Sequence, residues 1–151
     1  MGHRKLAPQE KEDYCVCSIL QGILARHGIT YSQESIASAL TLTKSNNGYV
    51  IDDTRIKSFL ENKGFDYSFY WHNQTPFNEP DILLEEIAAN DGFIGLGMEG
   101  IGLHGYRVLR FKHPIITADD PKDSSLIEFN LYNLRNEMAR LDGGFGLLKK
   151  I

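Results

Sequence analysis

Two cysteines, one tryptophan and three methionines are all that this chain of 151 residues carries of those types. The cysteines, Cys15 and Cys17, stand two positions apart, too close for an unstrained disulfide. There is no second cysteine pair, so the usual structural zinc site is missing. Free thiols suit a reducing compartment, and a cytoplasmic location is the expectation. No apolar run approaches the length of a membrane-spanning helix. The first residues, Gly2, His3, Arg4 and Lys5, are polar and lack the apolar core of a signal peptide. Basic residues are short as well: 16 Lys and Arg face 20 Asp and Glu, a formal charge of −4. A nucleic-acid binder usually carries a basic face, so that class is disfavoured. Gly95-x-Gly97 and Gly100-x-Gly102 are not followed by a helix, so no phosphate-binding loop is indicated.

What remains is ordinary globular composition, with 42% apolar and 24% charged residues. The length fits one domain, able to fold without disulfide or metal. Met1 to Tyr14 reads as a polar N-terminal arm. Ser18 to His27 has an apolar stripe at helical spacing (Ile19, Leu20, Ile23, Leu24), with Gly28 as the stop. Ser32 caps a second helix, Gln33 to Leu40. Lys44 to Tyr49 is polar, with a turn signal at Asn47-Gly48. A third helix runs from Asp53 to Lys63, stopped by Gly64. Phe65 to Trp71 reads as a strand, 72–80 as a loop with Pro76 and Pro80, and Asp81 to Ala89 as a fourth helix. Strands then follow at Gly92–Met98, Tyr106–Phe111 and Ile115–Ala118, with Gly100, Gly102 and Gly105 loosening the stretch between the first two. Glu128 to Leu141 reads as a helix broken by Gly143-Gly144, and Phe145 to Ile151 as a last strand. Helices first and strands late make an α+β pattern.

Cys15 stands at the start of an apolar helix, where the macrodipole and orphan N–H groups favour thiolate. Cys17 lies about 200° further round the helix and should point into the core as an inert small hydrophobe. A cysteine at a helix start is, alone, most often structural. His104 adds a partner, because a thiolate–imidazolium pair keeps a cysteine reactive at neutral pH. Asp120, before Pro121, can hold the imidazole tautomer, although Asp-Pro is also an ordinary turn. Gln9, six residues before Cys15, offers an amide donor for an oxyanion. His27, His113, Trp71-His72 and Glu85-Glu86 have structural readings: a helix-end charge, a turn, a strand end and a solvated helix face.

Together, Gln9, Cys15, His104 and Asp120 make the chain resemble the bacteriocin-processing cysteine peptidases, which cleave double-glycine leader peptides and have a papain-like fold. In that family a Gln precedes the nucleophile by six residues, as Gln9 does. Cys15-Val16-Cys17-Ser18-Ile19-Leu20-Gln21-Gly22-Ile23, ending His27-Gly28, resembles the family helix Cys-Gly-x-Ala-x-Leu-x-x-Ile. His104-Gly105-Tyr106-Arg107-Val108-Leu109 resembles the family strand that opens on His, and Asp120-Pro121 follows at the expected distance. Val16 stands where the family has Gly, Ser18 where it has a small Ala, and Gly105 where it has a bulky residue. Asp119 is a neighbouring rival to Asp120.

The resemblance implies a papain-like α+β domain and a thiol peptidase or amidase. Cys15 would be the nucleophile, His104 the acid–base, Asp120 its orienting carboxylate, and Gln9 an oxyanion donor. No metal or organic cofactor is implied. The expected partner is a peptide or protein, not a membrane or nucleic acid, and the expected state is a monomer. The family's transporter-linked members carry a membrane domain and an ATPase, so a free-standing relative is expected here. Three alternatives stay open: a silent peptide-binding module, an acyltransferase, and an exported effector amidase. Gly143-Gly144, with Glu137, Met138 and Leu141 before it, has the form of a double-glycine tail. A helix stop before a final strand explains the same residues.

Overall fold

Gly28 and Gly64 have φ of 78° and 84°, the left-handed conformation that ends a helix where a side chain would be strained. Both therefore act as the stops that their positions predict. The computed structural model describes residues 5–11, 14–40, 43–45, 48–50, 53–74, 78–98 and 102–151. Asn47, Pro76 and Gly100, which figure in the sequence reading, lie outside the described residues, as do 1–4 and 12–13 of the N-terminal arm. The elements are α1 (Cys15–Arg26), α2 (Gln33–Leu40), β1 (Thr43–Ser45), β2 (Gly48–Val50), α3 (Asp53–Asn62), β3 (Phe65–Trp71), α4 (Pro80–Ala89), β4 (Asp91–Met98), β5 (Gly102–Lys112), β6 (Ile115–Asp119), β7 (Leu126–Asn130), α5 (Leu131–Leu141) and β8 (Gly144–Lys150). Among the described residues no helix is long and apolar enough to cross a membrane.

A six-stranded sheet runs in the order β3-β8-β4-β5-β6-β7, and every neighbouring pair is antiparallel. Successive side chains of a strand point to opposite faces, which is why one sheet can cover two cores. Phe65, Tyr67, Phe93 and Leu148 pack with α1, α2 and α3. Their neighbours Ile94 and Leu147, with Val108, Ile116, Ala118 and Phe145, pack with α4 and α5 on the other face. This is the α+β architecture that the order of elements predicts.

Three stretches differ from the sequence reading. Lys44 and Tyr49, in the stretch read as polar, lie in two short paired strands, β1 and β2. Glu128 to Asn130 belongs to β7, not to a helix, because Phe129 and Ile127 pair with Ile116 and Ala118 of β6. The helix begins only at Leu131, where the Asn130 side chain accepts from the Tyr132 N–H at 3.0 Å and the Asn133 N–H at 3.4 Å. The glycine-rich stretch before Tyr106 is strand too, with Leu103 and His104 paired to Gly97 and Leu96.

One irregularity bears on the site. Arg107 pairs with Asp119 and Val108 with Ala118, but Arg110 pairs with Thr117. Leu109 therefore has no partner in β6 and forms a one-residue bulge.

Candidate active site

Cys15 is the first residue of α1, and the preceding Tyr14 makes no side-chain cap bond. The first-turn N–H groups are thus available to the thiol rather than to a capping oxygen. Backbone N–H groups of Gly105, Val16 and Cys15 itself lower the thiol pKa. Burial acts more strongly: the residue is 4% exposed, and desolvation pushes the thiol above its ordinary 9.0. The thiolate expected from the helix start is therefore not the resting form. The sequence supplied the helix-end donors but not the depth of burial. Cys17 is inside the core at 1% exposure, and burial pushes its thiol up to about 12.

His104 sits inside β5, two residues before the strand start that the sequence predicts. Its Nε2 and the Asp120 Oδ1 are 3.0 Å apart. The Asp120 carboxylate also accepts from the Lys122 N–H at 2.9 Å. Its main chain is closed into a turn, with Asp120 N–H donating to Ser125 O and Ser124 N–H to Asp120 O. The carboxylate is thus aimed by its own backbone. The Tyr106 ring stands edge-on to the imidazole, with centroids 4.7 Å apart. Asp119 has a different partner: the Arg107 Nη2 lies 2.6 Å from Oδ2 and the Arg107 Nε 3.2 Å from Oδ1. Of the two adjacent acids, Asp120 bonds the histidine.

Gln9 lies on a short extended strap, residues 6–11, that crosses between the two halves of the site. Its own N–H donates to Pro121 O at 2.7 Å, beside Asp120. Ser124 Oγ donates to Leu6 O on the same side. On the other side the Ser18 hydroxyl of α1 donates to Ala7 O at 2.7 Å. One hydrogen of the Gln9 Nε2 is used on Lys11 O at 3.0 Å. Ser18, an apparent departure from the family pattern, is therefore a tether that alanine could not supply.

Gly105 is explained by the closeness of Ile19 on α1. A side chain on Gly105 would place its Cβ 2.9 Å from Ile19 Cδ1 and 3.9 Å from Val16 Cγ2. The bare backbone of β5 lets α1 come close enough for Cys15 to meet the Gly105 N–H. Gly105→Ala should cost about 1–3 kcal/mol by overpacking. Ile19→Val, which deletes the clashing atom, should recover part of that loss in the double variant. Urea unfolding of the four proteins checks it, and equal stability of Gly105→Ala and wild type refutes it.

The residues given structural readings have structural partners. His27 Nε2 and Arg26 Nη1 lie 2.8 and 2.6 Å from the carboxylate of buried Asp91, tying the end of α1 to β4. His113 Nδ1 is 3.1 Å from Asp81, and His72 Nε2 is 3.1 Å from Asp142. Glu86 pairs with Lys149. Gly144 opens β8 inside the sheet, paired with Trp71 and Gly95 on either side, and Phe145 is buried. Cleavage after Gly144 would require pulling a central strand from the sheet. Among the described residues no cluster of three or more metal-ligating side chains occurs. Gln33, Ser124 and Arg107 were not found from sequence, since long-range polar pairs leave no periodic signal.

The papain-like α+β fold is shared with a solved peptidase domain. It matches the crystal structure of the peptidase domain of Streptococcus ComA, a bifunctional ABC transporter involved in a quorum-sensing pathway, with a TM-score of 0.69 and 19% identity. The match covers 99% of this chain and 100% of that domain. No protein-family model matches the sequence, and no curated protein does either.

Proposed function

We propose that this chain is a thiol peptidase or amidase that uses Cys15, His104, Asp120 and Gln9. The reading is carried by the His104–Asp120 bond at 3.0 Å, taken with the helix-opening Cys15 meeting the backbone N–H of Gly105, the residue after His104. With Nε2 given to the carboxylate, Nδ1 is the nitrogen for proton exchange with the thiol. Burial keeps the resting thiol protonated, so His104 acts as general base during attack. The Cys15 sulfur adds to the substrate carbonyl carbon as its proton passes to Nδ1. The Cys15 N–H and the Gln9 carboxamide donate to the oxyanion. The imidazolium then protonates the leaving amine, giving a thioester. Water, activated by the same imidazole, releases the acid and restores the thiol.

The deep burial of Cys15 also favours a second reading, a peptide-binding module that does no chemistry. One experiment separates the two. Wild type, Cys15→Ala and His104→Ala are incubated with a peptide mixture from a digested proteome, and new termini are read by mass spectrometry. Cleavage by wild type alone supports the peptidase; cleavage by none of the three leaves the module.

The direction of the Cys15 shift sets a pH signature. A thiol whose pKa is raised stays protonated through neutral pH and gains thiolate only in alkali. Iodoacetamide labelling of Cys15 should rise about tenfold per pH unit up to pH 9, with no plateau. A plateau below about pH 8 would mean a resting thiolate–imidazolium pair instead.

A further inference from the structure

Gln33, the first residue of α2, is a glutamine with no exposure to solvent. Such burial of a carboxamide is tolerable only if its polar atoms are paired. Its Oε1 accepts from the Glu10 N–H at 2.8 Å. Its Nε2 donates to Pro8 O at 3.0 Å and to Gln21 Oε1 at 3.0 Å. Gln21 is fixed in turn, donating to Tyr31 O at 3.1 Å. The orientation of the Gln33 amide is forced, because one side meets a donor and the other meets three acceptors, Ala7 O at 3.5 Å included.

These partners bracket Gln9. The carbonyl before it and the N–H after it face Gln33, while its own N–H faces Pro121 O from the opposite side. That alternation is the pattern of a strand held on both edges. A side-chain amide therefore occupies the place of a neighbouring strand at one residue only. With the peptide units on both sides of Gln9 fastened, its backbone cannot rotate without breaking a buried bond.

We propose that Gln33 is a positioning residue that sets the Gln9 carboxamide for the oxyanion, an inference that rests on the peptidase reading above. Gln33 touches no substrate; it acts through the strap. The pre-set donor spares the reaction the ordering of a mobile arm, which is the source of its catalytic value.

The test uses the full chain and one peptide resynthesised from those that the wild type cleaves. Gln9→Ala should lower kcat about 10²–10³-fold, the usual loss of an oxyanion donor. Gln33→Met keeps the volume and deletes every bond to the strap. It should lower kcat toward the Gln9→Ala value with KM unchanged. In the Gln9→Ala background it should change kcat by no more than about twofold, because the two residues act in series. Hydrogen exchange of the segment 6–11 reads the clamp without turnover: protection in wild type should be lost in Gln33→Met. Cys15 labelling by iodoacetamide should not change.

A kcat for Gln33→Met near wild type overturns the inference, as does an equal loss in the Gln9→Ala background or unchanged strap protection. Should Gln33→Met fail to fold, Glu10→Pro decides, since at an exposed residue it deletes the N–H that Gln33 accepts while its ring biases Gln9 toward extended backbone. It is expected to lower kcat in the same way, and wild-type kcat in Glu10→Pro overturns the clamp. Absence of Cys15-dependent cleavage by wild type is a separate failure. It removes the peptidase reading and the role of Gln9 with it, whatever the exchange reports.

Discussion

Cys15→Ala should retain the fold and lose cleavage of every wild-type substrate by about 10⁴-fold or more. The size follows from the role: without the sulfur there is no thioester, and the general base has nothing to deprotonate. The cost in stability should be about 1–2 kcal/mol, since one buried sulfur is removed and the Gly105 N–H loses its contact with it. His104→Ala should fall to a similar level. Asp120→Ala should fall less, because it frees the imidazole tautomer without removing the base. Circular dichroism and urea unfolding verify the fold, and turnover of a resynthesised peptide gives the rate. Full activity in Cys15→Ala would end the proposed mechanism. Tight peptide binding by wild type and by Cys15→Ala, with no cleavage by either, would identify the silent module.

The largest loss of stability is expected at Arg107 and Asp119. They are 1% and 2% exposed, directly opposed across β5 and β6, and joined by two hydrogen bonds. Burial outweighs the guanidinium and raises the Asp119 pKa, a sign of how costly this charge is to desolvate. Removing one partner leaves the other charged in the interior. Arg107→Leu or Asp119→Asn alone should cost about 3–5 kcal/mol, against a typical total of about 5–15. Replacing both by apolar residues should cost less than the two single changes summed, since no charge is stranded. Denaturant midpoints for the cycle measure this. A single-variant loss below about 1 kcal/mol would mean that water reaches the pair. Arg107 also fills space against α1: a Cβ on Gly22 would stand 3.0 Å from its Nη1. Peptidase activity should fall with stability in these variants, because the pair joins β5 and β6 close to His104 and Asp120.

Much of this was legible in the sequence, for identifiable reasons. Glycine stops, the Ser32 cap and apolar periodicity are local signals, and they located α1, α2 and α3. The Ser35 N–H does donate to Ser32 Oγ, at 3.0 Å. The strand β7 reads as helix because Ile127, four residues before Leu131, extends the apolar stripe of α5 backwards. Asn130 was the available signal for the boundary, a favoured capping residue directly before the helix. The strand of His104 reads as starting only at Tyr106, because glycines read as loosening. In the fold Gly105 serves the close approach of α1 to β5. The burial of Cys15 could not be read from composition or spacing, since it depends on how α1 and β5 meet. The strap partners Ser18, Gln33 and Ser124 come from three distant parts of the chain and have no motif.

The unpaired Leu109 has a consequence for which acid serves the histidine. In an antiparallel ladder, directly opposed residues share a face, so parity along the strand decides sides. Past the bulge, Asp119 opposes Arg107, and Asp120 therefore shares the face of Tyr106 and His104. Carried on at the register of Arg110 and Thr117, the ladder would set Arg107 against Asp120 and turn Asp119 toward the histidine. A single inserted residue thus assigns one acid of an identical pair to the interior ion pair and the other to His104. Read as a code, the Asp119-Asp120 doublet is ambiguous, and the odd residue in the facing strand is what resolves it.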